Sequence, residues 1–170
     1  MFLAVKLYFA LNPITYTYKR MINILYIDDE PNNLFAFKAS FRRNYNVFTA
    51  ESAEEGRKIL ENNDIQIILS DQRMPKMTGI EFFESILQTF PNPIRILITG
   101  YTDINAVIDA INRGQVYKYL TKPWNETDVK IFIEKAYEVY YLRKENIELT
   151  EKLIDANKKL EFLARQSLLS

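Results

Sequence analysis

Five short apolar runs recur along the chain from residue 22 onward. Each is rich in aliphatic or aromatic residues and ends at polar or turn-forming residues. Such short runs without a long helical period are typical of strands buried on both faces of a sheet. The sequence therefore predicts strands over residues 22–27, 46–49, 65–70, 94–98 and 116–120.

The segments between these runs carry helix signals. Pro31 suits a first helical turn, and apolar positions after it follow one helical face. Ser52 and Thr78 each precede a Glu by three residues, which is the spacing of a capping box. Gly114 suits a helix end. Helices are predicted over 31–41, 52–61, from 78 to the prolines at 91 and 93, over 103–113, and from about 125 toward the C-terminus.

Strands and helices thus alternate through residues 21–140. Parallel neighbouring strands need helical crossovers, and right-handed crossovers place helices on both faces of the sheet. We predict an α/β domain of the doubly wound, flavodoxin-like type. Its five-stranded parallel sheet has the order 2-1-3-4-5, and an extended C-terminal helix follows it.

Residues 1–20 precede this pattern. They are apolar and aromatic up to Leu11 and break at Asn12-Pro13. The apolar part is too short to span a bilayer and lacks the basic start and cleavage site of a good signal peptide. We interpret it as an apolar extension, non-native or misassigned, with a weak signal peptide as the alternative. Because the first strand follows Met21, we expect residues 1–20 to be dispensable for folding.

The segment 141–170 is predicted to be a helical extension of the domain. From residue 139 onward, apolar positions alternate in spacings of three and four, and Asn146 fills one position. This is a heptad seam with a polar register residue. We predict a homodimer through 139–166 as a parallel coiled coil, the alternative being a helix that packs back or frays. The seam consists of Val139, Leu142, Asn146, Leu149, Leu153, Ala156, Leu160 and Leu163.

Composition narrows the chemistry. The chain has 22 Lys and Arg against 22 Asp and Glu, which gives no support for direct nucleic-acid or membrane contact. It has no Cys, in agreement with a cytoplasmic location. It has no His, which removes Ser-His-Asp catalysis and most transition-metal sites. Carboxylate, hydroxyl and lysine groups remain, and these suit Mg²⁺.

Reactive side chains follow four of the predicted strands. Asp28 and Asp29 follow the first, Asp71 the third, Thr99 the fourth and Lys122 the fifth. The carboxyl ends of parallel strands share one rim, where strands 1 and 3 flank the functional crevice. A single acid there is most often a helix cap. Three clustered carboxylates, however, need neutralising charge from a lysine and a divalent ion. Asp71 is then a candidate nucleophile for phosphoryl transfer.

Four motifs stand at these positions: Ile-Asp28-Asp29-Glu-Pro, Asp71-x-x-Met-Pro75, Ile98-Thr99-Gly100 and Tyr119-Leu-Thr-Lys122-Pro123. Together, over roughly residues 21–140, they resemble the receiver domains of two-component response regulators. The resemblance implies a Mg²⁺-dependent phosphoryl acceptor that works as a switch in a phosphorelay, with no enzymatic activity beyond self-phosphorylation from small donors and autodephosphorylation.

The resemblance also implies a role for each matching residue. Asp71 accepts the phosphoryl group from a histidine kinase or phosphotransfer protein. Asp28, Asp29 and Asp71 hold Mg²⁺, together with the backbone carbonyl of Arg73. Lys122 is implied to pair with the phosphoryl group.

Two further residues are implied to be the switch. Thr99 hydrogen-bonds to the new phosphoryl group, and Tyr119 turns inward. Without the motifs, Thr99 would be interpreted as a helix cap and Tyr119 as an ordinary strand aromatic. Trp124 is open to two interpretations, a partner surface or a partly buried packing role.

Three other classes of protein share part of this pattern. Aspartyl-phosphate hydrolases carry an Asp-x-Asp pattern. Here Gln72 and Arg73 follow Asp71, which counts against that class. A flavodoxin-like cofactor binder needs a phosphate loop rich in Gly, Ser and Thr, and Asp28 and Asp29 would repel its phosphate. A phosphorylation-independent interaction scaffold is the third alternative, and the complete set of acid, Thr and Lys argues against it.

Overall fold

A sheet of five parallel strands forms the centre of the protein. The computed structural model describes residues 21–100 and 104–169, and its strand order is β2-β1-β3-β4-β5, with every neighbouring pair parallel. The predicted fold class and strand order are confirmed. The strands are β1 (Asn23–Ile27), β2 (Asn46–Ala50), β3 (Ile67–Asp71), β4 (Ile94–Thr99) and β5 (Lys118–Thr121).

Five helices connect and follow these strands. The Ser52 side chain accepts the Glu55 N–H and caps the second helix, but the Glu55 carboxylate accepts the Glu51 N–H, so the capping box predicted there is incomplete. Thr78 and Glu81 form the complete capping box that their spacing predicts at the start of the third helix. The helices are α1 (Pro31–Phe41), α2 (Ala53–Asn62), α3 (Gly79–Ile86), α4 (Ile104–Asn112) and α5 (Glu126–Leu169).

Several boundaries differ from prediction. Helix α3 ends at Ile86, short of the prolines at 91 and 93, because the next residues form a turn in which the Leu87 N–H donates to the Glu84 carbonyl. Strand β5 starts at 118 because the Val116 N–H still bonds to Ala110 at the end of α4. Strand β3 starts at 67 and includes Asp71. The predictions for residues 1–20 and for residue 103 lie outside the described part of the chain.

The core consists of one apolar layer on each face of the sheet. Alternate residues of a strand point to opposite faces, so Ile24 and Tyr26 belong to one layer and Leu25 and Ile27 to the other. Helices α1 and α5 cover the first layer, and α2, α3 and α4 cover the second. Because β1 and β3 are buried on both faces, their carboxyl ends are held rigidly at one rim of the sheet.

Helix α5 has 44 residues, which corresponds to about 66 Å. Val129, Ile133 and Ala136 are buried against the sheet, whereas all described residues from 146 onward are exposed. The predicted long C-terminal helix is confirmed, and its second half does not pack back on the domain. Among the described helices, none has the length and apolar character needed to cross a membrane.

Candidate functional site

The predicted rim residues come together where the strands end. The register pairs Asp71 with Ile98 and Thr99 with Thr121, so the last residues of β3, β4 and β5 stand side by side. The Lys122 N–H donates to the Thr99 carbonyl oxygen at 2.9 Å. Backbone pairing thus fixes the start of the Lys122 side chain beside the ends of β3 and β4.

The Lys122 side chain joins two aspartates. Its Nζ lies 2.5 Å from Asp71 Oδ1 and 3.3 Å from Asp28 Oδ2. Both carboxylates are buried, with residue exposures of 1% for Asp28 and 6% for Asp71. A buried charge needs a partner, and Lys122 supplies it to both aspartates.

Asp71 is held at its two oxygens by different groups. Oδ1 pairs with Lys122, and Oδ2 accepts the backbone N–H of Arg73 at 2.7 Å. Burial raises the pKa of the Asp71 carboxyl, and this outweighs the lowering by Lys122 and by the Arg73 N–H. Burial acts to lower the pKa of Lys122, but Asp71 and Asp28 outweigh it and the pKa is raised. Lys122 therefore stays positively charged, and ionised Asp71 is under desolvation stress.

Asp28 receives more hydrogen bonds than the sequence suggests. Its Oδ1 accepts the Glu30 N–H at 2.9 Å, and the Asn33 amide donates to both oxygens at 3.1 Å. The Tyr26 hydroxyl donates to Oδ2 at 2.6 Å. Sequence reasoning missed Tyr26 and Asn33. The contact of Tyr26 with Asp28 could have been predicted, because residues two apart in a strand point to the same face.

The Tyr26 side chain is fully buried under the site. Its ring packs against Phe37 of α1 with centroids 4.6 Å apart. Burial, and then the hydrogen bond to Asp28, raise the pKa of the Tyr26 phenol far above its ordinary value. The phenol is therefore neutral and serves as a donor.

Helix α3 begins against the backbone of Asp71. The Gly79 N–H donates to the Gln72 carbonyl at 3.1 Å, and the Gln72 side chain accepts the Ile80 N–H at 3.2 Å. A β-carbon at Gly79 would collide with the Asp71 carbonyl oxygen and lie 2.7 Å from Leu97 Cδ1. Glycine is therefore required here by the close approach of the two chain segments. The cap at Thr78 follows from the sequence, whereas this contact does not.

Asp29 is half-buried, and the described ion pairs of Lys122 are with Asp28 and Asp71. Within residues 21–100 and 104–169, no three acidic side chains are placed to share one metal ion. Mg²⁺ is usually held by one or two carboxylates with water, so a three-acid cluster is not required. The all-oxygen donor set of this rim, in a chain without His or Cys, fits that ion.

The two switch candidates occupy different environments. Thr99 is buried, and its hydroxyl donates to the Gly100 carbonyl at 3.1 Å. Tyr119 is half-buried and lines a surface groove of about 630 Å³ together with Trp124 and Phe132. Trp124 also packs against Phe37, with centroids 5.9 Å apart. Trp124 therefore has the packing role that was one of its two interpretations.

Known proteins resemble the chain over this same region. A family model described as the response regulator receiver domain matches residues 24–134. The hydrogenase transcriptional regulatory protein HoxA of Bradyrhizobium diazoefficiens is 33% identical over 122 residues, which is 72% of this chain and 25% of HoxA. The chain spans less than a third of the length of the curated relatives it matches.

Solved structures give the same result. A response regulator receiver domain protein from Clostridium thermocellum has a TM-score of 0.68 and 34% identity, and the match covers 72% of this chain and 98% of that one. A structure described as adenylate cyclase from Rhodopirellula baltica has a TM-score of 0.76 and 30% identity, with coverage of 78% and 99%. Fold, rim residues and family match agree, and the chain belongs to the response regulator receiver domain family.

Proposed function

We propose that this protein is a phosphorylation-controlled switch in two-component signal transduction, with Asp71 as the phosphoryl acceptor. The observation that carries the proposal is the pairing of buried Asp71 with Lys122 at 2.5 Å. Burial raises the pKa of Asp71, so its charge is poorly stabilised before phosphoryl transfer. A buried carboxylate with a raised pKa and a specific charged partner, at a strand-end rim, is typical of functional sites.

The transfer itself needs few groups. An Asp71 oxygen attacks the phosphorus, a new O–P bond forms, and the bond from phosphorus to the donor breaks. The donor leaves with the electron pair of that bond. Because the chain has no His, the phosphoryl group comes from a histidine kinase, a phosphotransfer protein or a small phosphodonor. The Lys122 ammonium stabilises charge on the transferring group.

Mg²⁺ is the cofactor that we propose. Asp29 and Asp71 would supply carboxylate oxygens and Arg73 its backbone carbonyl. Asp28, whose oxygens are taken by other donors, would add negative charge beside the ion. When bound, the ion neutralises phosphoryl charge.

The switch follows from the positions of Thr99 and Tyr119. We propose that the Thr99 hydroxyl exchanges the Gly100 carbonyl for a phosphoryl oxygen. Tyr119 then turns inward and reshapes the groove that it shares with Trp124 and Phe132. A ligand of this kind acts by favouring one of two conformations. The alternative function is an interaction scaffold that does not depend on phosphorylation.

We also propose a second copy of this chain as a partner, through residues 139–166, in the cytoplasm. The apolar seam positions Leu149, Leu153 and Leu160 of α5 are 59%, 62% and 64% exposed in the single chain. A row of exposed leucines at heptad spacing is stabilised by a matching helix.

Labelling of the full chain with acetyl phosphate tests the acceptor. We expect Mg²⁺-dependent addition of one phosphate that is stable in acid and labile to base and hydroxylamine. Asp71→Asn should abolish labelling, because an amide is not a comparable nucleophile. Asp29→Ala should weaken Mg²⁺ binding and slow labelling. Thr99→Ala should label but lose the conformational response.

Asp155→Asn is the matched control, since Asp155 is exposed on α5 and pairs only with nearby Lys159 among the described salt bridges. It should label like the wild type. If the intact protein neither binds Mg²⁺ nor accepts phosphate from small donors or a set of histidine kinases, the scaffold function replaces the acceptor.

A further inference from the structure

The Tyr26 hydroxyl shares its acceptor, Asp28 Oδ2, with two other donors. Asp28 Oδ2 is approached by Tyr26 at 2.6 Å, by the Asn33 amide at 3.1 Å and by Lys122 at 3.3 Å. A carboxylate oxygen offers about two lone-pair sites, so three donors compete for them. Tyr26 has the shortest of these contacts and Lys122 the longest.

The same lysine has a closer partner. Lys122 Nζ lies 2.5 Å from Asp71 Oδ1, and its side chain is 35% exposed, so it has room to move between the two aspartates. Tyr26 has no such freedom, because its ring is buried and packs against Phe37. The Tyr26 hydroxyl, which is fixed, therefore limits how closely the movable Lys122 ammonium can approach Asp28 Oδ2.

We propose that Tyr26 is a positioning residue, whose hydroxyl keeps Lys122 on Asp71 by filling the Asp28 oxygen that would otherwise draw the lysine away. The consequence for phosphoryl transfer rests on the proposed function of Asp71. With the hydroxyl present, the ammonium stays beside the acceptor carboxylate. Without it, Asp28 Oδ2 gains a free lone-pair site, and the ammonium moves toward Asp28.

Tyr26→Phe isolates the hydroxyl, because phenylalanine keeps the ring that packs on Phe37. In the full chain, with saturating Mg²⁺, we expect the maximal rate of labelling by acetyl phosphate to fall about fivefold, since a displaced cation stabilises the transferring group less well. The acetyl phosphate concentration at half-maximal rate should stay unchanged, because the variant alters the position of a stabilising charge and leaves the exposed donor site intact.

Tyr45→Phe is the matched control. Tyr45 is a buried tyrosine of the same core layer, but it lies beyond the far end of α1, where its ring contacts Phe41. It should label at the wild-type rate even where it lowers thermal stability. An equal drop in rate for both variants would reduce Tyr26 to a packing residue and overturn the proposal.

A double variant tests whether Tyr26 acts through the lysine. In a Lys122→Met background, Tyr26→Phe should cause no further loss of rate, because the group that it positions is absent. Independent losses that multiply would contradict the proposal. Both Lys122→Met proteins should retain measurable labelling at long incubation, so that the comparison uses rates.

Crystal structures of the metal-free wild type and Tyr26→Phe test the positioning without any phosphate. In the variant, Lys122 Nζ should be closer to Asp28 and farther from Asp71 than in the wild type. An unmoved lysine would overturn the proposal. If the wild type fails to label, the acceptor function falls, and this structural comparison still decides whether Tyr26 positions Lys122.

Discussion

At the scale of single residues, Asp71 combines two requirements that conflict. It must be ionised to act as a nucleophile, yet it is buried at the rim of the sheet. Its ion pair with Lys122 and its bond from the Arg73 N–H do not fully replace water, and its pKa is raised. The domain is thus least stable in the protonation state in which Asp71 can react.

This conflict predicts that Asp71→Asn stabilises the protein at neutral pH. Because the folded-state pKa lies above the unfolded one, the contribution of Asp71 to stability is fully present below the unfolded pKa. It is lost as pH rises through the folded pKa. We expect urea unfolding at pH 7 to show a gain of about 1 kcal/mol, a usual size for relief of strain at a functional site.

The gain should shrink as the pH falls through the raised pKa of Asp71, because the protonated carboxyl resembles the amide. In the variant, Lys122 keeps Asp28 as its partner. Asp155→Asn, on the exposed part of α5, should change stability neither at pH 7 nor in acid. A variant less stable than the wild type at pH 7 would show that the Lys122 pair outweighs the burial of the charge.

The sequence predicts the rim residues well because parallel strands bring their carboxyl ends together whatever the details of packing. Asp28, Asp71, Thr99 and Lys122 follow from that rule alone. The hydrogen bonds from Tyr26 and Asn33 to Asp28 do not, because they depend on side-chain rotamers. For Tyr26, the rotamer is set by the contact with Phe37.

At the scale of elements, helices α2 and α3 each approach the sheet closely at one glycine, Gly56 in α2 and Gly79 in α3. A β-carbon at Gly79 would meet the Asp71 backbone carbonyl, which cannot move without shifting β3. A β-carbon at Gly56 in α2 would lie 2.6 Å from Ile27 Cδ1, the mobile end of a side chain. A methyl group at Gly79 would therefore have to displace backbone, whereas one at Gly56 would have to displace only the end of a side chain.

We predict that Gly79→Ala costs about 3 kcal/mol of unfolding free energy and Gly56→Ala about 1 kcal/mol, within the range for overpacked cores. Urea denaturation of both full-length variants measures the difference. Gly79→Ala should also weaken Mg²⁺ binding, because α3 pushes on the Asp71 backbone. Equal costs for the two variants would show that the loop before α3 absorbs the added methyl group.

The hydrogen-bond partners of Arg95 could not be predicted from the pattern of helices and strands. The strand 94–98 was predicted to be buried on both faces, and Arg95 is indeed buried within it. Its guanidinium donates to the carbonyls of Gln115 at 2.8 Å and Pro93 at 3.2 Å. These acceptors lie in loops whose course no local pattern determines. One boundary of each loop also differs from prediction, because α3 ends at 86 and β5 starts at 118.

At the scale of the whole molecule, α5 predicts self-association. Static light scattering should give a dimer for the full chain and a monomer for a chain cut after Tyr141. Leu153→Glu should also give a monomer, because it places a charge in the apolar seam. Full-chain protein that is monomeric at high concentration, with and without phosphate, would contradict the prediction.

Ile154→Glu is the matched control for that charge. Ile154 is the next residue along and is 49% exposed, but it lies outside the heptad seam. It should leave the dimer intact. If Ile154→Glu dissociates the dimer as fully as Leu153→Glu, the helices pair through a different face from the one that the heptad pattern predicts.

Because α5 is continuous, the number of its residues determines the angle of the leucine seam about the helix axis. The helix starts at Glu126, four residues after Lys122, and runs without a break past the last core contact. Each residue turns an α-helix by about 100° and advances it by about 1.5 Å. One residue added after Tyr141 would therefore swing the leucine seam about a quarter turn around the axis relative to the sheet, whereas seven would nearly restore its direction. The number of residues between the rim and the distal half of α5 therefore sets the direction in which the leucine seam faces relative to the sheet.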